Sequence, residues 1–407
     1  MSNKLSDNKK LYSLIAVAAL GYFVDIYDLI VFNVVKNESL QAIGITGDAL
    51  KNSEIYLFNV QMTGMLLGGL LWGILGDKKG RISVLFGSIF LYSVANIANA
   101  FVTTLDGYAM WRFIAGLGLA GELGAGITLV SESMHKDKRG YGTMIIVTFG
   151  ALGAVVAGLV GKNFGWQTTY ITGGCMGLAL LLLRAGAFES GMYKQAAENK
   201  DIKRGDFLML FSSTRTFFKY LACIGIGLPV WYVIGVLINL SNRFAANNGM
   251  QVDVADCVMF AYLGLSVGDL LSGLLSQMMR SRKKVVLIYL STCLLLSIIY
   301  LYVGANSITY YKIMSFLLGA ATGYWALFVT IASEQFGTNI RSTVTNTVPN
   351  FVRGAVVPIT LSFKWLSESY SITTAAVIVG VVCSFIALLS TWYIDETFSK
   401  DLNYNEE

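Results

Sequence analysis

The chain has 407 residues, of which 55% are hydrophobic and only 14% charged, with 42 Gly, three Pro and a mean hydropathy of +0.61. That balance excludes a soluble globular domain. The formal net charge of +5 is no argument for nucleic acid, because in so apolar a chain the placement of each Lys and Arg carries more information than their sum.

Apolar stretches of about 20 residues, enough to cross the hydrocarbon layer, recur from end to end. In chain order they predict helices one to six over 11–36, 54–76, 83–103, 107–133, 139–162 and 166–187. Helices seven to twelve follow over 216–241, 253–277, 284–304, 308–333, 341–366 and 371–394. The first is too long for a signal-peptide core and carries acids, so it reads as a retained span. The expected class is therefore an all-α integral membrane protein with 12 transmembrane helices.

With the N-terminus inside, the inner segments hold Lys4, Lys9 and Lys10, then Lys78, Lys79 and Arg81, then Lys136, Lys138 and Arg139. A cluster between Arg184 and Lys219 and another at Arg280, Arg282, Lys283 and Lys284 follow. The outer loops carry only single cations such as Lys36, Lys51, Lys162, Arg243 and Lys312. The positive-inside rule then places both termini in the cytoplasm of a bacterial inner membrane. The long polar run falls midway and reads as a cytoplasmic linker, 188–215, between an N-terminal bundle, 1–187, and a C-terminal bundle, 216–407.

The two halves are faintly alike. Gly73 to Asp77 and on to Arg81, after helix two, aligns with Gly273 to Gln277 and on to Arg282, after helix eight. Ser131-Glu132 with Arg139 recurs as Ser333-Glu334 with Arg341. Two matches at nearly one offset argue for an internal duplication and so for two pseudo-symmetric six-helix bundles.

The segment Gly73-Ile74-Leu75-Gly76-Asp77-Lys78-Lys79-Gly80-Arg81 resembles the loop between helices two and three of the major facilitator superfamily. With the Glu-x6-Arg corners after helices four and ten, the resemblance covers essentially the whole chain. It implies a cytoplasmic gate motif of Gly73, Asp77, Gly80, Arg81, Glu132, Arg139, Glu334 and Arg341, clasped in the outward-open state and released on inward opening. The segment from Gly21 to Asp28 resembles helix one of metabolite:proton symporters, and Arg112 to Gly116 with Gly121-Glu122 resembles their helix four. Ala120 and Leu123 stand where that branch has Gly and Trp. The resemblance implies a proton-coupled carrier of the sugar-porter-like kind; it does not carry over a solute.

Ionisable groups inside spans are costly and point to a task. They are Asp25 and Asp28 in helix one, Arg112 and Glu122 in helix four, Asp269 in helix eight and Arg353 in helix eleven. Asp25 and Asp28 lie less than a turn apart, and two such carboxylates disfavour double ionisation. Arg112 is expected to pair with one of them and release it for protonation. The alternative is a static buried ion pair. Glu122 is expected as a second proton site or as the partner of a helix-one backbone group.

Asn346, Asn350, Arg353, Thr360 and Lys364 make one face of helix eleven polar. Arg353, facing a cavity, suits an anionic solute; the alternative is that it neutralises Asp269 or another acid of the C-terminal half. Trp231 and Tyr232 in helix seven, Tyr324 and Trp325 in helix ten and Gln61 in helix two complete the expected solute site. Pro229, Pro349 and Pro358 lie inside apolar segments and mark helices seven and eleven for bending.

Cys175, Cys223, Cys257, Cys293 and Cys383 lack metal-type spacing and His135 stands alone, so neither a metal nor a cofactor is expected. No Walker-type loop is present, which leaves a non-enzyme. The leading expectation is proton symport that imports a small organic solute, an organic anion by preference, by alternating access. The expected partners are solute, proton and lipid, in a monomer without nucleic acid. A proton antiporter, exporter or uniporter and a non-transporting metabolite receptor are the alternatives.

Overall fold

The computed structural model describes residues 2–135, 137–184, 204–303 and 307–406. Among them, ten helices are long and apolar enough to cross a membrane. Helices one to five are Leu11–Ala42, Asn52–Lys79, Arg81–Asn99, Leu105–Ser133 and Arg139–Phe164. Helices seven to ten are Thr214–Ile238, Val254–Met279, Arg282–Tyr302 and Ile308–Gln335, and helix twelve is Ile372–Tyr393. Helix six, Trp166–Leu183, and helix eleven, Arg341–Gly354 continued by Val356–Ser369, complete the twelve. Helix eleven is too polar for a hydropathy criterion, yet Ser342, Thr343, Thr345, Asn346, Thr347, Asn350 and Arg353 are all buried; protein rather than lipid satisfies them. The predicted linker lies outside the described residues up to 203, as does Lys136. Its far end holds a short 3-10 helix, Phe207–Phe211.

Packing repeats in each half. Helix one lies on five, two on four and three on six; in the same order seven lies on eleven, eight on ten and nine on twelve. The halves meet along two seams, helix two against eleven and helix five against eight, which a pseudo-two-fold interchanges. Glycines make the seams close. A Cβ on Gly73 would come within 2.8 Å of Thr343 Cα, and one on Gly69 within 2.9 Å of Asn350 Cβ.

Helices four and ten, expected to be continuous, are interrupted at Ala120–Gly121 and at Gly323–Tyr324. Side chains take up the backbone groups that the breaks release. Trp72 Nε1 donates to the Leu117 carbonyl at 2.7 Å and Asn350 Nδ2 to the Ala120 carbonyl at 2.9 Å. In helix ten the Ala326 N–H donates to Asp269 Oδ1 at 2.9 Å. Helix seven widens into a π-helical turn, Val233–Ile238, directly after Pro229. Helix eleven breaks at Ala355, so Pro358 falls in the first turn of Val356–Ser369. There its missing N–H removes no helical bond, unlike Pro349, which is inside the preceding piece.

Candidate functional site

Charged side chains from seven helix ends build a network across both halves. Glu132 Oε1 accepts from Arg81 Nη2 of its own half at 2.9 Å and from Arg341 Nη1 of the other at 3.1 Å. Glu334 repeats the pattern. It accepts two bonds from Arg282 of its own half, at 2.7 and 2.9 Å, and faces Arg139 of the other at 3.8 Å. Asp77 adds a cap: its carboxylate accepts from the N–H groups of Ser342 and Thr343 at 3.0 and 2.8 Å, at the start of helix eleven. It also faces Arg81 at 3.4 Å. Gly80, at φ 101°, permits the turn that brings Arg81 back. All the expected gate residues therefore meet in one cluster, and Arg282, absent from that expectation, is the counterpart of Arg81.

The C-terminal segment crosses the same face. The Leu402 carbonyl accepts from Arg341 Nη2 at 2.7 Å, and the Lys400 carbonyl from Arg139 Nη1 at 3.2 Å. Glu396 caps the start of helix nine. Burial alone would raise its carboxyl, but the Ser281 hydroxyl and the N–H groups of Arg282, Phe398 and Lys283 outweigh burial and hold it below the usual glutamate range.

Between the halves lies a cavity of about 20 Å³ walled by Tyr22, Trp231, Tyr262, Trp325 and Arg353 with aliphatic neighbours. That is room for about one water and not for an organic solute. Arg353 Nη2 stands 4.0 Å from Asp25 Oδ2 of the opposite half, and its guanidinium lies over the Trp325 ring at 5.8 Å. The indole N–H groups of Trp231 and Trp325, Arg353 Nε and both Asp25 oxygens are buried without a hydrogen-bond partner. Three unpartnered donors thus belong to residues that wall the space, and the Asp25 carboxylate stands behind Arg353.

The other intramembrane charges are distributed differently from the expectation. Arg112 meets neither Asp25 nor Asp28: it donates to Gln61 Oε1 and stacks over Phe32 at 4.4 Å. Glu122 is held by a fork from Arg184, one bond at 2.9 Å and a second from Nη2. Arg184 Nη2 also reaches the Val17 carbonyl of helix one at 3.3 Å. Asp28 is fully buried with both oxygens unpartnered. Arg353 faces Asp25 rather than Asp269, whose Oδ1 is occupied by the helix-ten break.

Of the expected solute residues, Arg353, Trp231 and Trp325 line the cavity. Tyr232 and Tyr324 point into the second half, donating to the Ala376 and Ile226 carbonyls at 2.8 Å each. Asn346 and Asn350 pack against helices four and two beside Gly124 and Gly69; Asn350 still touches the site by accepting from Arg353 Nη1 at 3.2 Å. Gln61 is Arg112's partner. Tyr22 and Tyr262 are cavity walls that the sequence reading missed, since helix one offers several aromatics and helix eight sets Tyr262 beside Phe260, with no mark to distinguish these two.

Twelve packed helices in two related halves, a charged network on one face and an aromatic-walled cavity between the halves describe a multi-pass membrane carrier. The chain belongs to the Major Facilitator Superfamily, whose sequence profile matches residues 18–356. It is 25% identical over 390 residues to NiaP of Bacillus subtilis (strain 168), provisionally named a niacin/nicotinamide transporter, covering 92% of this chain and 94% of that one. It is 29% identical over 320 residues to the 3-(3-hydroxy-phenyl)propionate transporter of Escherichia coli (strain K12), covering 75% and 77%. In fold it is similar to the proton:xylose symporter XylE, with a TM-score of 0.74 at 16% identity, covering 98% of both chains.

Proposed function

We propose that the protein is a proton-coupled symporter that imports a small organic anion with an aromatic face across a bacterial inner membrane, with the latch network on the cytoplasmic side. The observation that carries this reading is that Arg353, which lines an aromatic cavity, is faced by Asp25 of the opposite half. A guanidinium is the group best shaped for a carboxylate, and Trp and Tyr walls suit a planar ring. The names of the two relatives quoted above, one a hydroxyphenylpropionate transporter, support an aromatic carboxylate.

In this mechanism Asp25 and the solute's carboxylate are alternative partners of Arg353. While Asp25 is ionised it holds Arg353 across the boundary between the halves. A proton on Asp25 weakens that hold and leaves the guanidinium to the solute, so proton and anion bind together. Loaded, the halves rock: the latch bonds of Glu132 and Glu334 to Arg341 and Arg139 break and the cavity opens inward. Asp28, unpartnered within the N-terminal half, passes protons to this site.

The test uses cells expressing the protein in weakly buffered medium, with nicotinate or 3-(3-hydroxyphenyl)propionate added as probe. The expected result is probe-dependent alkalinisation of the medium. Asp28→Asn is expected to abolish accumulation while retaining exchange of internal for external probe. Uptake of both probes without any pH change in the medium contradicts proton symport.

A further inference from the structure

Besides the charged network, two pairs of threonines tie the halves together. The hydroxyls of Thr128 in helix four and Thr345 in helix eleven meet at 2.6 Å, and Thr330 of helix ten donates to Thr143 of helix five at 2.9 Å. Each pair joins one half to the other, and all four side chains are fully buried. The pairs are images of each other. Thr128 and Thr330, and likewise Thr143 and Thr345, are separated by the same interval of sequence as Glu132 and Glu334 or Arg139 and Arg341. A threonine in a helix can satisfy its hydroxyl on its own backbone, four residues back. Bonding across the boundary at both symmetry-related places is therefore more than helix formation requires.

Three helices fix the depth of these pairs. Along helix eleven the order is Arg341, Thr345, Arg353, and along helix five it is Arg139, Thr143, Ala151. Helix ten, read back from its end, runs Glu334, Thr330, Trp325. In each case the first residue belongs to the charged network and the last lines the cavity. The threonines thus form a layer about one helical turn, or roughly 5–6 Å, from the network and on its cavity side. Packing beside them is close. A Cβ on Gly124 would come within 2.7 Å of the Thr345 carbonyl, and one on Gly273 within 2.5 Å of the Met144 side chain, next to Thr143.

The layer parts differently from the network. A buried glutamate pulled from its arginine is left as an uncompensated charge, which is costly. A threonine pulled from its partner keeps a second acceptor: Thr345 also reaches the Arg341 carbonyl at 2.9 Å, Thr330 the Ala326 carbonyl at 2.7 Å and Thr143 the Gly140 carbonyl at 3.2 Å. We infer that the four threonines are a second, uncharged gate between the charged network and the cavity, a hydroxyl layer that closes the cavity on the latch side and parts at low cost when the halves rock. Its role as a gate rests on the alternating-access reading above; the coupling of hydroxyls across the halves does not. The layer sets how often the cavity opens toward the latch face, and each hydroxyl acts through its partner in the other half.

Pulsed EPR on the full-length protein in nanodiscs, without solute, tests this. Spin labels at Lys79→Cys and Met279→Cys, both exposed at the latch-side ends of helices two and eight, report the separation of the halves. The background is Cys175→Ser, since the other four cysteines are buried. Thr128→Val is expected to raise the ratio of open to closed distances about threefold, and Thr128→Val/Thr330→Val, one from each pair, about tenfold. Thr128→Val/Thr345→Val replaces both members of one pair by apolar groups of the same shape and is expected to return to within twofold of the wild type. Thr128→Ser keeps the hydroxyl and is expected to keep the wild-type ratio. A single valine without effect overturns the proposal, as does a same-pair double variant that opens as far as the cross-pair one, or a serine variant that opens as far as the valine. A single closed distance in every variant overturns it too. If the wild type does not move nicotinate in proteoliposomes, the symport reading fails, and the EPR ratios still decide whether the threonines couple the halves.

Discussion

Arg184 illustrates how a charge can be visible in a sequence and its task hidden. It sits at the end of helix six beside a run of basic residues, where membrane topology already accounts for a cation. Folding carries it to Glu122, 62 residues away, and buries both. A buried carboxylate stripped of its partner is strongly destabilising, by about 3–5 kcal/mol. Arg184→Met is therefore expected to lower the melting temperature in detergent sharply, and Glu122→Gln added to it is expected to recover much of the loss. The acids were easier to read. Asp25, Asp28 and Asp269 stand out because nothing but a polar interior tolerates a carboxylate in an apolar run. Which arginine answers Asp25 was not readable: the chain suggested Arg112 for the helix-one acids and an acid of the C-terminal half for Arg353, and only the meeting of the two halves brings Arg353 to Asp25. Replacing it with Lys keeps the charge but removes the planar fork, and nicotinate binding measured by calorimetry is expected to weaken by about tenfold, or about 1.4 kcal/mol.

At the scale of helices, the duplicated motif reveals both a symmetry and its breach. The three charge pairs Arg81 and Arg282, Glu132 and Glu334, Arg139 and Arg341 occupy equivalent places in the two halves, and the sequence offset alone matched them. Asp77 has no such twin, since Gln277 takes its place. Asp77 caps helix eleven, whereas the Gln277 amide lies at the first turn of helix five against Gly140, with its nitrogen unpartnered. Gln277→Asp supplies an anion at that N-terminus and is expected to stabilise the latched state by about 0.5–1 kcal/mol. The checks are a higher melting temperature and slower exchange of probe across proteoliposomes. The breaks in helices four and ten escaped the sequence reading for a related reason. Gly118, Gly121 and Gly323 are as common in closely packed spans as in broken ones, and the groups that stabilise the breaks, Asn350 and Asp269, come from other helices.

For the whole molecule, the latch and the C-terminal segment form one body of bonds on one face, while the cavity lies at the centre. Glu396 ties that segment to helix nine. Its carboxyl is held below the ordinary glutamate range, so its contribution to stability is present above the unfolded-state value and is lost as the pH falls through the folded-state value. Glu396→Gln is expected to remove that part of the acid sensitivity: melting curves of the two proteins should differ at neutral pH and converge on acidification. Fold and halves were legible because hydropathy and duplication are properties of the chain itself. The cavity between the halves was not, because it depends on how the two halves meet.

If one proton accompanies each monocarboxylate, the loaded carrier moves no net charge, and the pH gradient rather than the membrane potential sets the direction. The decisive measurement is nicotinate flux in proteoliposomes under inward, absent and outward proton gradients with the potential clamped. Concentrative uptake under the first, equilibration under the second and net efflux under the third are the predicted results. A final nicotinate ratio that ignores the proton gradient, or that runs against it, contradicts the account.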